Sequence, residues 1–262
     1  MADIVVVYEH PLSPYAQKIK IALREKQVDF DVAMPEFGTE ATAEFAQLNP
    51  RGEVPVLMHG SSALFESSVI LDYIEDTWPN PALFPAAPKH RASMRVLENL
   101  LDTHFEANTW GLAEISVFGR AEGKRAEEMT SFAETEIHTW YRWLEQQLGQ
   151  RNWFNGDDFG YGDLCAISHI NGAARFDILP KANTALARWL KRVNQRESVS
   201  ATHNEAKAAE LDPVIMQAAL KAGFKREYRD HRLEWMIRGG GLDIVNNGLE
   251  ANNIRFVSAF ES

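Results

Sequence analysis

The segment EHPLSPYAQKIKIAL, residues 9–23, sets a serine directly before a proline and then runs into a helical repeat. Serine is a favoured N-cap and proline a favoured first helical residue, so Ser13-Pro14 is fully accounted for as a helix start. The same geometry can also do chemistry. A hydroxyl at a helix N-terminus lies in a positive field that stabilises an anion by about 0.3–1 kcal/mol or more, and a thiolate would suit it. A second stretch, NPRGEVPVL, places Pro55 at the opening of a strand, where its missing N–H is tolerated. A cis bond there would turn the backbone N–H and C=O of Val54 toward an extended peptide ligand, although X–Pro bonds are mostly trans and local sequence does not establish it. A third, FESSVILDY, puts an acid and two serines at a helix start. It reads either as a capping arrangement or as a clamp in which Ser67 and the helix N-terminus hold a carboxylate while Glu66 holds an ammonium group. Those are the two ends of an amino-acid backbone.

The elements that must position these residues follow from pattern. DIVVVY (3–8) is a continuous β-branched run, as in a strand covered on both faces. In the helix after it, Tyr15, Ile19, Ala22 and Leu23 share one side, with Lys18, Arg24 and Glu25 expected to face water. VDFDVAM (28–34) alternates like a second strand and completes a βαβ unit with a right-handed crossover. TEATAEFAQL is a short helix. VPVLMHGSSALFES reads as two strands around a turn at His59–Ser61, with Gly60 supplying the permissive backbone, and SVILDYIEDTW as a closing helix. Residues 79–89 hold four prolines and no periodicity, as a linker does. Beyond them strand signals vanish. Long amphipathic helices are predicted over 91–118 and 123–149, shorter ones over 161–175 and 182–195, and more helix over 198–238 with a break at Asp212-Pro213. After RGGGL the pattern dissolves into an irregular tail anchored by Ile254, Phe256 and Phe260.

Composition bounds the function. At 262 residues, 45% hydrophobic and 24% charged, the chain can bury a full core. Its net charge of −10 argues against a nucleic-acid partner. No apolar run approaches the roughly 18 residues of a membrane span, and MADIVVVYEH lacks the pattern of a secretory signal. A cytoplasmic protein without a membrane partner is expected. The single cysteine, Cys165, excludes an internal disulfide and a cysteine-based zinc cluster, and the scattered histidines support no metal site. Nucleophile elbows and phosphate-binding glycine loops are missing.

Taken in order, strand, SPYAQK helix, strand, helix, NPRGEVP, hairpin and ESSVILDYIED, the chain resembles the cytosolic glutathione S-transferase superfamily over roughly residues 3–195. The resemblance implies an α/β plus all-α fold: an N-terminal thioredoxin-like βαβαββα domain (1–78), a linker (79–90), an all-helical domain (91–212) and a C-terminal extension (213–262). It is to the serine-type members, in a bacterial form with an extended tail. By the same resemblance, Ser13 hydrogen-bonds the glutathione sulfur, Val54 pairs with the cysteinyl unit, Pro55 is the cis-proline, and Glu66 and Ser67 hold the γ-glutamyl group. An acceptor pocket between the domains would draw on Tyr15, His104, Phe105, Asn108 and Trp110, each of which has an ordinary structural explanation as well.

Two departures stand out. Relatives often place Gln or Lys where this chain has Glu53, near the glycine carboxylate of glutathione. An ionised Glu53 would repel that group, leaving Arg51 as a candidate partner or as an ordinary surface residue. In FGYGDL the helix cap is Gly160 where the family commonly has Ser or Thr, and Asp163 is read as structural. Cys165 is expected to be buried and inert. The implied function is a homodimeric glutathione transferase of the detoxification type, with glutathione as cosubstrate, acting on a small hydrophobic electrophile. Two alternatives stay open: a glutathione-dependent ether or thioether lyase or isomerase in aromatic, lignin-type catabolism, and a non-catalytic binding protein. The tail FKREYRDHRLEWMIRGGGLDIV mixes Arg229, Arg232 and Arg238 with Tyr228, Leu233, Trp235 and Met236. It reads as a helix with a solvated face or as a cover over the interdomain cleft.

Overall fold

The sheet that carries the N-terminal motifs has the order β2-β1-β3-β4. The computed structural model describes residues 4–35, 41–225 and 231–254. In it β1 (Val5–Tyr8) leads to α1 (Pro14–Glu25) and β2 (Asp31–Ala33), then α2 (Ala41–Leu48), β3 (Val56–His59), β4 (Ser62–Phe65) and α3 (Ser67–Thr77). β1 pairs parallel with β2 and antiparallel with β3, and β3 pairs antiparallel with β4 through a turn where Gly60 takes φ 57°. This is the thioredoxin-like βαβαββα order expected from the sequence. Val5, Val7, Val56 and Leu57 from the sheet, with Ile19, Leu23, Ile70, Leu71 and Ile74 from α1 and α3, are buried. Each such side chain contributes roughly 1.5–3 kcal/mol on removal from water. Tyr8, on the other side of β1, meets Phe45 of α2 with ring centroids 5.7 Å apart.

The segment 79–89 is fastened rather than loose. Leu83 is buried, its N–H and that of Phe84 donate to the Glu75 carboxylate, and its carbonyl accepts from Tyr161 N and Asn155 Nδ2. From there the chain is helical: α4 (Pro88–Leu100), α5 (Glu106–Ser116), α6 (Gly123–Leu148), α7 (Tyr161–Ala174), α8 (Ala185–Val193), α9 (Glu197–Ala208) and α10 (Pro213–Lys221).

The structure corrects three expectations. The helix predicted over 91–118 is interrupted by a π-helical turn at Leu101–Phe105, where Glu106 N bonds Leu101 O; a single π turn shifts the face of a helix without changing its composition and so escapes a pattern reading. Lys18 does not face water but is fully buried, for reasons given below. The stretch after RGGGL is not all irregular, since Leu242–Glu250 forms α12 after α11 (His231–Arg238); Gly248, which costs helix propensity, obscures the pattern. Of the tail residues singled out from sequence, Tyr228, Arg229, Phe256 and Phe260 lie outside the described residues. The chain divides into two compact units, Met1–Gln217 and Ala218–Ser262. On α11 of the second, Arg238 pairs with Glu234 at 2.9 Å and Trp235 is exposed.

Asp163 organises the helical core. Its carboxylate accepts from Phe154 N (2.8 Å), Asn155 N (3.2 Å), Gly160 N (3.1 Å) and the buried Trp189 Nε1 (2.7 Å). Burial pushes its carboxyl up to about 6 in spite of these donors. A Cβ at Gly160 would come within 2.4 Å of the Leu83 carbonyl oxygen, so this chain has glycine at the cap because no side chain fits. Asp163→Asn sets amide hydrogens against donors that now have an acceptor. The expected loss is about 3 kcal/mol or more, read from urea unfolding; a change under about 1 kcal/mol would contradict the structural role.

Candidate functional site

Strand register brings the three N-terminal motifs to one end of the sheet. Tyr8, the last residue of β1, pairs with Val56, the first of β3, which pairs with Phe65, the last of β4. At about 4.8 Å between neighbouring strands, the loop to Ser13, the Val54-Pro55 turn and the Glu66-Ser67 helix start leave the sheet side by side.

Ser13 is the N-cap of α1. Its backbone is extended (φ −72°, ψ 115°), its Oγ accepts from Ala16 N at 3.3 Å and Pro14 follows in the first turn. One lone pair is thereby used, while the hydroxyl proton remains a donor. The Val54–Pro55 bond is cis. Since the β3 ladder starts at Val56, the N–H and C=O of Val54 lie outside it. Glu66 precedes α3 with φ 69° and ψ 109° and caps nothing with its side chain. A non-glycine residue in that region costs about 1–3 kcal/mol and persists where the surroundings over-determine it. Ser67, the first residue of α3, is buried. The capping reading of FESS is therefore not how this helix starts.

The turn that carries Glu53 is built on Asn49, which sequence reading missed. Asn49 is buried; its Nδ2 donates to Glu53 O at 2.8 Å and its Oδ1 accepts from Arg51 N at 3.0 Å. An Asn preceding a Pro-x-Gly turn is the signal that could have found it. Arg51 then pairs through Nε with Glu53 (2.8 Å) and through Nη1 with Glu66 (2.6 Å). Glu53 is thus compensated, not a lone repelling charge.

The residues expected to line an acceptor pocket separate. Tyr15 Oη donates to the Asp102 carbonyl in the π turn at 2.7 Å, and burial raises its hydroxyl pKa, with Glu106, Asp102 and Glu53 adding to the effect. His104 is exposed and bonds Thr103, with its ring 5.8 Å from that of Trp140. Asn108 donates to the His104 carbonyl one turn back. Trp110 is partly buried. Phe105 is corrected: it is fully buried in the helical core, 5.8 Å from the Tyr141 ring.

What seats Ser13 is the rest of α1. Lys18, fully buried, donates to Glu98 (2.6 Å) and to Asp102 (2.7 Å); Tyr161 Oη closes on the other Glu98 oxygen, and His169 Nε2 lies 2.9 Å from the other Asp102 oxygen. Burial would lower the Lys18 pKa and raise that of Asp102, but their proximity outweighs it, so the ammonium is held up and the carboxyl down. Glu98 and Asp102 stand four residues apart on one helical face, a spacing that sequence reading could have matched to a buried cation. Lys20 likewise reaches Glu9 (2.6 Å) and Glu205 (2.8 Å), and Lys26 reaches Glu75 (2.5 Å). Cys165 is fully buried, and burial first, then Glu98, pushes its thiol well above the usual range. Among the described residues no cluster of His, Cys, Asp or Glu could hold a metal ion, and no helix is long and apolar enough to cross a membrane.

Comparison with known proteins agrees with this arrangement. The family descriptions "Glutathione S-transferase, N-terminal domain" and "Glutathione S-transferase, C-terminal domain" match residues 7–82 and 82–197. Glutathione S-transferase U22 of Arabidopsis thaliana is 30% identical over 208 residues, 76% of this chain and 89% of its own length. A glutathione S-transferase structure from Rhodospirillum rubrum superimposes with TM-score 0.67 at 27% identity, covering 76% of this chain and 91% of that one. The beta-etherase LigF from Sphingobium sp. strain SYK-6 gives 0.64 at 23% identity, covering 77% and 99%, a likeness of fold.

Lys18→Met leaves Glu98 and Asp102 buried without their cation and is expected to cost about 3–5 kcal/mol at neutral pH. Because Lys18 holds the Asp102 carboxyl low, its contribution is present above the unfolded carboxyl pKa of about 4 and is lost as pH falls through the lower folded value. The stability gap between wild type and variant, measured by chemical denaturation, should be widest above about pH 5 and close below about pH 4. A constant gap would contradict the assignment.

Proposed function

The chain belongs to the glutathione S-transferase family, and on that premise we propose that it activates the glutathione thiol at Ser13 for attack on a small hydrophobic or aromatic electrophile. The observation that carries this reading is the Ser13 hydroxyl, which accepts from the first turn of α1 and keeps its proton to donate. Glutathione lies along Val54 next to the cis Pro55, with its γ-glutamyl end at Glu66 and Ser67. The thiol proton leaves to solvent, the sulfur forms a bond to the electrophilic carbon, and the leaving group departs with the electron pair of the broken bond. Orientation of the two reactants supplies further acceleration.

The magnitudes suffice. A free thiol has pKa about 8.5, and lowering it by two units requires about 2.7 kcal/mol. A hydroxyl donating to a charged acceptor contributes roughly 1.5–3 kcal/mol, and the helix N-terminus adds about 0.3–1 kcal/mol. No protein base is required. Disulfide exchange is disfavoured, since serine stands at position 13 and Cys165 is buried.

Ether or thioether cleavage in aromatic catabolism is the second reading. It uses the same thiol site, differs in the acceptor, and is supported by the fold likeness to the beta-etherase. The non-catalytic reading leaned on the charge of Glu53, which Arg51 compensates. We take the protein to be a cytoplasmic homodimer, its first domain against the partner's helical domain; Val69 on α3 and Val96 on α4 are exposed apolar surface that such a contact would cover.

Thiolate absorbance against pH, with glutathione added to wild type and to Ser13→Ala, tests the reading. Wild type should lower the thiol pKa by about two units, and the variant should bind without lowering it, with kcat/KM toward an aromatic electrophile reduced roughly 10- to 100-fold. Absence of binding to wild type, or an equal pKa in both proteins, would overturn it.

A further inference from the structure

The loop that leads from β1 to Ser13 is pinned on itself, and the imidazole of His10 is one of the pins. Ser13 N donates to His10 O at 2.8 Å, Gln17 Nε2 donates to Pro11 O at 2.8 Å, and Leu12 N donates to His10 Nδ1 at 3.3 Å. A backbone N–H only donates, so Nδ1 must offer its lone pair and the ring proton must sit on Nε2. His10 is thereby held as the neutral Nε2–H tautomer. Burial first, and then the charge of Arg175, hold its pKa below the ordinary 6.5, which keeps that form at neutral pH. Among the described residues no group accepts from Nε2. Arg175, just past the end of α7, is also poorly matched: its Nε is buried without a hydrogen bond, and Glu210 Oε1 stands off at 3.6 Å.

The loop that presents Ser13 thus presents a spare N–H donor in a positive field. In the proposed reaction the thiolate already has the Ser13 hydroxyl; the charge left unmet is the one that appears on the leaving group as its bond to carbon breaks. We infer that His10 is a catalytic residue on the acceptor side, its Nε2–H donating to the oxygen of an aryloxide leaving group, and that the electrophile is accordingly an aryl ether. The inference rests on the glutathione reading and names its acceptor class. Sulfur forms a bond to the ether carbon, the C–O electron pair passes to oxygen, and the departing aryloxide, hydrogen-bonded to Nε2–H, takes its proton from solvent. His10 gives up no proton, and Leu12 N stays on Nδ1 throughout. An aryloxide oxygen accepts a short, charge-assisted bond. Chloride, larger and more diffuse, accepts a weaker one, so the donor discriminates between the two. The Arg175 charge that reaches His10 favours the same anion.

Phenacyl chloride and a series of phenacyl aryl ethers offer the same carbon and differ only in the leaving group, which separates this role from a structural one. His10→Asn keeps an acceptor for Leu12 N, since an asparagine side chain bonds the N–H two residues on in the same way, but it lacks Nε2–H. In this variant the ratio of kcat/KM for ether over chloride should fall roughly 10- to 100-fold, less than for a fully buried oxyanion donor because the imidazole is only partly buried. The ether rate should also depend more steeply on the acidity of the leaving phenol. Both acceptors meet the same thiolate, so the ratio cancels any loss from a shifted loop. An unchanged ratio, an unchanged dependence on phenol acidity, or no turnover of any ether by wild type overturns the inference alone. Failure of wild type to bind glutathione and lower its thiol pKa overturns the glutathione reading and this inference with it.

Discussion

The Lys18 ammonium, sealed from water between Glu98 and Asp102, is the contact on which the arrangement of the first helix depends. A buried charge is tolerated only when its hydrogen bonds are met. Here both carboxylates are in turn engaged, Glu98 by Tyr161 and Asp102 by His169. Such a cluster can be satisfied in very few registers. α1 must present Lys18 at the level where α4 passes into the π turn, and the hydroxyl of Tyr15 then meets the Asp102 carbonyl. Lys20 and Lys26 repeat the device against Glu9 with Glu205 and against Glu75. The helix that begins at Ser13 is therefore held by ionic contacts to the helical segments as well as by apolar packing on the sheet.

The second constraint is the ladder Tyr8–Val56–Phe65, which fixes where three loops leave the sheet. On one side stands a serine at a helix start; across from it, a backbone segment outside the ladder; beyond that, an acid and a serine opening α3. In the proposed function these are a sulfur site, a peptide-pairing site and an amino-acid clamp.

Much of this was legible in the sequence because the first domain is built from short, strongly marked pieces. Ser13-Pro14, the Gly60 turn and the β-branched run of β1 each announce one structure. Lys18 was not legible: amphipathicity assigns every charged residue to water, and the partners that reverse the assignment lie 80 and 84 residues away. The π turn at Leu101–Phe105 was hidden for the related reason that one widened turn shifts the face of a helix without changing its composition. Glu53 misled in the opposite direction, since its charge could be read but its pairing with Arg51 depends on how Asn49 folds the turn. Among the acceptor-side residues, sequence could name Phe105 and Asn108, but not that one is core and the other bonds its own helix.

If the seat of α1 sets the reach of Ser13, then disturbing that seat should disturb the thiol. The direct measurement is the pKa of the glutathione thiol bound to Lys18→Met, followed by thiolate absorbance at a temperature well below the variant's unfolding transition. The account expects binding to persist while the pKa rises toward the free value of about 8.5, by most of the amount that Ser13→Ala produces. A bound thiol pKa equal to that of wild type would mean that Ser13 is positioned independently of the buried ammonium group, and would contradict the account.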